Sequence, residues 1–348
     1  MKTLLVHASF GEGHKRAAEA LGKFLDAPCV DMMDFCHPTI KKYYIGAYMF
    51  ATQHLTVSWK LLFIFSRLKI FRKIVSGSNA LVFSRFAERL RQTRPQILVT
   101  THFYVPAVAA LVKKELNLKI ISVVTDFCAH PIWQDDAIDH YFTPGENAKN
   151  DLMKMGVPEN KILSGYAALR EGFLRPLSAD KLREKFSLDD KPCLLFVSSI
   201  RGIFPFLEQN LGQMLRRFNV IVIYGKNKKL LRCLQNHDCR SLRYFSFYEQ
   251  MWELFAISSV IISKPGGLTV FEGIFLKKMF IFTHYIPGQE EANMKLLIKN
   301  NVARYAKTNQ QFLDAIEYLL LKNGGSAGNY PVEIKDMRAA LKTFIDSQ

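Results

Sequence analysis

No Cys-x-x-Cys pair occurs among the six cysteines of this 348-residue chain (Cys29, Cys36, Cys128, Cys193, Cys233, Cys239). That excludes a dithiol redox motif of this spacing, and cytoplasmic thiols in mostly apolar company read as buried and reduced. Cys233, His237 and Cys239 match no zinc spacing, so no metal site is expected. Long apolar runs are also missing. The longest, Leu55 to Phe65, is broken by Lys60 and falls short of the roughly 20 residues that cross a bilayer. The first residues pass from one lysine straight into a glycine loop with no small-residue cleavage site, so no signal peptide is read. The expectation is a cytoplasmic protein that lies on a membrane without crossing it. Internal repeats and low-complexity tracts are absent as well, which excludes a solenoid or a disordered chain.

Acidic residues are scarce in one place. The chain carries a net charge of +16, and between Lys41 and Arg94 it has eleven lysines and arginines against the single acid Glu88. Such a field attracts polyanions. The same span mixes its bases with Tyr48, Trp59, Phe63 and Phe65 beside Arg67, Lys69, Arg72 and Lys73. Bases interleaved with large apolar groups favour an anionic membrane surface over nucleic acid. A set of core helices with basic outer faces would have the same composition.

What is present is a twice-repeated order of elements. Lys2 to Ala8 is a short apolar run, followed by Ser9-Phe10-Gly11-Glu12-Gly13-His14 and a helical pattern over 15–25. Strand, glycine loop and helix open a Rossmann-like unit. Runs at 95–100 and 119–125 flank a helical segment at 105–116, which implies a parallel sheet. The pattern restarts after Pro192, with strands at 193–198, 220–224, 260–263 and 279–283. Two α/β domains follow, 1–175 and 176–348, joined through 174–191. Their ligand would sit at the carboxyl ends of the strands.

Four segments carry chemistry, and each has a structural alternative. At Gly11 and Gly13 the backbone can approach a ligand at a helix start. His14 behind them is a general-base candidate, or a histidine satisfied by a backbone group. Thr125-Asp126-Phe127, with His130 and Trp133, leaves a strand at the cleft, as Thr100-Thr101-His102-Phe103 does. Asp126 suits a base, a hydroxyl anchor or a turn cap. In Lys264-Pro265-Gly266-Gly267-Leu268-Thr269-Val270-Phe271-Glu272, two glycines before a helix make a diphosphate cradle. Glu272 suits a ribose, although Thr-x-x-Glu is also a capping box. In Pro287-Gly288-Gln289-Glu290-Glu291-Ala292-Asn293, an amide and a carboxylate reach one rim, where they suit sugar hydroxyls or a helix's first turn.

Taken in order, these motifs resemble the monogalactosyldiacylglycerol synthases and the bacterial processive diacylglycerol glucosyltransferases. The likeness runs from about Leu4 to Leu320 and includes Gly156-Val157-Pro158 leading into Ser164-Gly165-Tyr166. It implies a GT-B fold with an acceptor-binding first domain and a UDP-sugar-binding second domain. The last helix would pack back on the first domain. Transfer would invert the anomeric centre, without a metal or a cofactor, from UDP-glucose or UDP-galactose to diacylglycerol. The absence of an Asp-x-Asp motif agrees with that.

Carried onto this chain, His14 would be the base and Asp126 the second choice. Gly266, Gly267 and Thr269 would hold the diphosphate and Glu272 the ribose. Gln289 and Glu290 would hold the hexose, Asn293 would lie on the donor side, and Phe247 and Met251 would border the uracil. Gly11, Gly13, His102, Thr125, His130 and Trp133 would line the acceptor side, with 43–73 docking on anionic lipid. The turn Ser198-Ser199-Ile200-Arg201-Gly202 departs from the family's glycine-rich one, with Arg201 adding charge, and Phe10 replaces a small residue. The N-acetylglucosaminyltransferase of the peptidoglycan lipid precursor shares the Gly-x-Gly-His loop but usually has two glutamines where Gln289-Glu290 stands. A non-catalytic membrane or nucleic-acid binder is the third reading.

Overall fold

A computed structural model describes residues 2–197, 204–237, 239–288, 290–323, 330 and 333–347. Arg201, its turn 198–202 and Gln289 therefore lie outside the described residues. The chain forms two six-stranded, wholly parallel sheets. The first uses β1 (Thr3–His7), β2 (Cys29–Asp31), β3 (Ile97–Thr100), β4 (Lys119–Val123), β5 (His140–Thr143) and β6 (Ile162–Ser164), in the order β2-β1-β3-β4-β5-β6. After the short β7 (Tyr166–Ala167) comes the second sheet. It has β8 (Cys193–Val197), β9 (Asn219–Ile223), β10 (Leu242–Phe245), β11 (Val260–Ser263), β12 (Met279–Phe282) and β13 (Ala303–Tyr305), in the order β10-β9-β8-β11-β12-β13.

The central strands are mostly apolar because helices cover both faces of each sheet. All five residues of β1 and of β9 are buried. A strand reversal lies beside β1 in one sheet and beside β8 in the other. Crevices open at such points, past the carboxyl ends of the strands. The first helix starts at Glu12, earlier than the periodicity suggests, which puts His14 in its first turn. β4 ends at Val123, so Thr125 and Asp126 stand in the loop beyond it.

The two halves interlock. β14 (Lys335–Asp336) pairs with β7. The helix Met337–Asp346, capped by the Asp336 side chain, then returns to the first sheet. Met337, Leu341 and Ile345 are buried there with Leu5, Ala17 and Leu21. In the other direction Phe127 leaves the first sheet and is buried in the core of the second, edge-on to Phe271 with ring centroids 4.7 Å apart.

Between β2 and β3 the chain inserts four helices, Pro38–His54, Thr56–Phe65, Lys69–Val82 and Ser84–Thr93. The first has Pro38 at its start and the His37 ring accepting from the Thr39 amide, a capped entry. Of the 18 large apolar side chains exposed among the described residues, 12 lie between Ile40 and Leu81. No described helix is long and apolar enough to cross a membrane.

Candidate active site

The starts of two helices meet in the cleft. One is Glu12–Leu25, entered through Gly11, and the other is Gly267–Phe275, entered through Gly266. A Cβ placed on Gly13 would lie 3.8 Å from the Leu268 Cβ. Gly11 has nothing within 4 Å of such an atom. Gly267 is the opposite case, because its Cβ would fall 1.8 Å from the Thr125 carbonyl oxygen. Only glycine lets the second domain's helix touch the loop after β4.

His14 is 8 % exposed and held by two threonines. Its Nδ1 lies 2.6 Å from the Thr101 carbonyl oxygen and 3.2 Å from Thr125 Oγ1. Thr101 Oγ1 donates back to the His14 carbonyl at 2.8 Å. A carbonyl can only accept, so Nδ1 carries the proton and Nε2 presents a lone pair. Nε2 has no hydrogen-bond partner among the described residues. Burial pulls the His14 pKa down to about 4. The ring is neutral near pH 7, with its tautomer fixed by the same backbone contact that a merely structural histidine would use.

Asp126 stands on the same loop as Thr125. Burial pushes its pKa up to about 7, against the donors Asn293 and Trp133. Asn293 is fully buried and its amide is fully used. It accepts from the Phe127 amide at 2.9 Å and donates to Asp126 Oδ1 at 3.3 Å and to the Pro265 carbonyl at 3.2 Å. Asn293, expected on the donor side, thereby ties the loops of the two domains together.

Glu272 is also fully buried, and Arg170 grips it in a bidentate pair, Nε to Oε1 at 2.6 Å and Nη2 to Oε2 at 2.7 Å. Burial pushes the Glu272 carboxyl up from its ordinary value, against the pull of Arg170. No capping box forms, because the cap is Gly266, the helix starts at Gly267 and Thr269 sits inside it. Glu290 accepts from the Ile286 amide at 2.8 Å and pairs with Lys264. Arg170 and Lys264 are the partners of these two carboxylates, and of the two only Lys264 belongs to a quoted motif. Arg170 lies in no motif and reaches Glu272 across 102 residues.

Other expected residues divide into inner and outer sets. His102 and Trp133 are 1 % and 2 % exposed, so neither lines an open acceptor surface; both back His14, at centroid distances of 4.8 and 6.2 Å. Phe247 is exposed beneath the Arg16 guanidinium, 5.6 Å away, while Met251 is buried in the second domain's core. Within the insert, Tyr48, Trp59 and Phe63 turn inward, against the expectation of membrane contact. Tyr48 packs edge-on to Phe10 and Trp59 at 5.6 and 5.3 Å, and Phe63 lies 3.9 Å from the His130 ring. Arg72 is held by the Pro131 carbonyl and by Gln134. Phe65, Arg67, Lys69 and Lys73 remain outward, beside Leu61, Ile64, Leu68, Ile70 and Ile74.

Residues 14–164 match the family model of monogalactosyldiacylglycerol (MGDG) synthase, and residues 195–322 match that of the glycosyltransferase family 28 C-terminal domain. Among curated proteins, the chain is 28% identical over 359 residues to a processive diacylglycerol beta-glucosyltransferase of Bacillus cereus (strain G9842). That match spans 99% of this chain and 89% of the relative. Among solved structures it superposes on MurG of Acinetobacter baumannii with a TM-score of 0.62 at 15% identity, over 99% of each chain. It superposes on UDP-GlcNAc 2-epimerase from Neisseria meningitidis bound to UDP-GlcNAc with a TM-score of 0.62 at 13% identity, over 100% of this chain and 99% of that one. The fold is GT-B, as the motif order implied.

Proposed function

We infer, for a chain that joins an MGDG synthase domain to a glycosyltransferase family 28 C-terminal domain, that it makes membrane glycolipid by glycosyl transfer. The finer reading is transfer of glucose or galactose from a UDP-sugar to diacylglycerol, with inversion and without a metal. One observation carries it: two helix starts converge beside His14, whose Nδ1 is held by the Thr101 carbonyl. Helix N-termini stabilise anions through their free amides and dipole. A diphosphate bound at this helix start would leave the hexose on the cleft side that His14 borders.

In the transfer step the acceptor hydroxyl oxygen bonds to the anomeric carbon on the face opposite UDP. The bond from that carbon to the phosphate oxygen breaks, and UDP departs with the electron pair. His14 Nε2 takes the hydroxyl proton. The free amides of Gly267 and Thr269 at the helix start receive the charge that builds on the diphosphate, on the far side of Gly266, whose own amide donates to the Lys264 carbonyl. Glu272, oriented by Arg170, holds the ribose, and Glu290 holds the hexose. The outward Phe65, Arg67, Lys69 and Lys73 and their apolar neighbours rest on anionic lipid at the cytoplasmic face, where diacylglycerol resides. Apolar insertion beside basic charge favours lipid over RNA, and only lipid binding should outlast high salt.

The test mixes purified protein with diacylglycerol in anionic vesicles and, separately, labelled UDP-glucose, UDP-galactose and UDP-N-acetylglucosamine, with EDTA present. A glycolipid from a hexose donor is the expected result, and several product spots would show repeated addition. No product from folded, vesicle-bound protein with any donor would overturn the reading.

A further inference from the structure

The Thr56–Phe65 helix belongs to the basic, apolar insert, yet one of its rings reaches the loop that carries Glu290. Gly288 has φ +81, and a Cβ there would lie 2.5 Å from Phe63 Cδ1 and 2.7 Å from Phe63 Cγ. Glycine is therefore required twice, for its backbone conformation and for the approach of the ring. Phe63 also lies against His130, with ring centroids 3.9 Å apart and planes inclined by 37°. Three residues earlier on the same helix, Lys60 Nζ stands 3.9 Å from Glu291, the neighbour of Glu290. Ser66 closes the helix end by donating to the Phe63 carbonyl at 2.7 Å. Val57 and Leu61 of this helix, and Ile64 beside them, are exposed.

We propose that Phe63 is a positioning residue for the sugar half of the donor, acting through the Gly288 turn on Glu290. The proposal rests on the donor reading above. The ring is wedged between the loop after β4, which carries Asp126 and His130, and the loop after β12, which carries Gly288 and Glu290. It holds those two loops at one separation. Its close neighbours are Gly288 and His130, so its influence falls on the hexose and spares the UDP portion. The helix that presents outward apolar groups thereby also sets the width of the sugar subsite.

The experiment titrates UDP, UDP-glucose and UDP-galactose into the wild-type chain, Phe63→Ala and Phe63→Leu by calorimetry, with thermal melts alongside. Phe63→Ala should weaken binding of the preferred UDP-hexose by about 10-fold, as expected when a supporting contact of a site is removed, and change UDP binding less than about twofold. Phe63→Leu keeps an apolar side chain against His130 and should lose about threefold, which preserves the test if the alanine variant does not fold. Equal losses for UDP and UDP-hexose, or no loss for either, would overturn the positioning role. A folded wild-type chain that binds neither ligand would overturn the donor reading and this proposal with it.

Discussion

The two walls of the cleft start from the same local device, glycines ahead of a helix, and use it in opposite ways. On the first wall Gly11 has free space around it, and His14 keeps one nitrogen lone pair uncommitted. On the second wall Gly267 is pressed against the Thr125 carbonyl, and the carboxylates of Glu272 and Glu290 are bound to Arg170 and Lys264. One wall leaves room and a free base; the other is closed on itself and supplies a rigid, charged frame. A glycine in a motif can mean space for a ligand or space for the partner domain, and the distinction is tertiary.

Perturbing each wall separately tests that contrast. Arg170→Ala should have the largest effect, since it leaves Glu272 as an unpaired buried carboxylate and should cost about 3–5 kcal/mol in urea unfolding. If stability hardly changes, the second wall is not closed as described. His14→Ala should leave the fold intact and cut turnover about 100-fold, as for a lost general base. Its pH signature is separable from that of Asp126. A base must be deprotonated, so the rate is lost as pH falls through its pKa. With His14, at about 4, kcat/KM stays level from pH 8 down to about 5. With Asp126, at about 7, it declines already below neutrality. A decline centred near 7 would transfer the role to Asp126.

Gly267→Ala comes next. The added methyl must push the Thr125 loop away, at a cost of about 1–3 kcal/mol read from the thermal midpoint, with loss of transfer activity. Gly11→Ala should be the mildest, with stability within about 0.5 kcal/mol of wild type and UDP affinity unchanged, since its Cβ meets only open space. Comparable destabilisation by both alanines would erase the difference between the walls.

Local chemistry made much of this legible in advance. The alternation of apolar strand, glycine turn and helix is written in neighbouring residues, because continuous apolar runs suit only strands covered on both faces. His14, Asp126, Glu272 and Glu290 were legible as reactive types at strand ends. Their partners were not. Arg170 and Glu272 are 102 residues apart, and Asn293 reaches Asp126 across 167. The insert was read correctly as apolar and basic, but not as to which side faces which way. Its Pro38–His54 and Thr56–Phe65 helices carry no dominant apolar face, so periodicity cannot choose between inward and outward residues.

The sequence by itself determined two parallel α/β units, the glycine turns at their strand ends and the basic apolar insert, because each follows from short-range pattern and composition. Only the tertiary structure decided that Gly267 serves domain contact, that Asn293 joins the loops, that Glu272 is clamped by Arg170, and that Tyr48, Trp59 and Phe63 face inward. Those outcomes depend on which surfaces meet once both sheets are built, and contacts between residues distant in the chain leave no local trace.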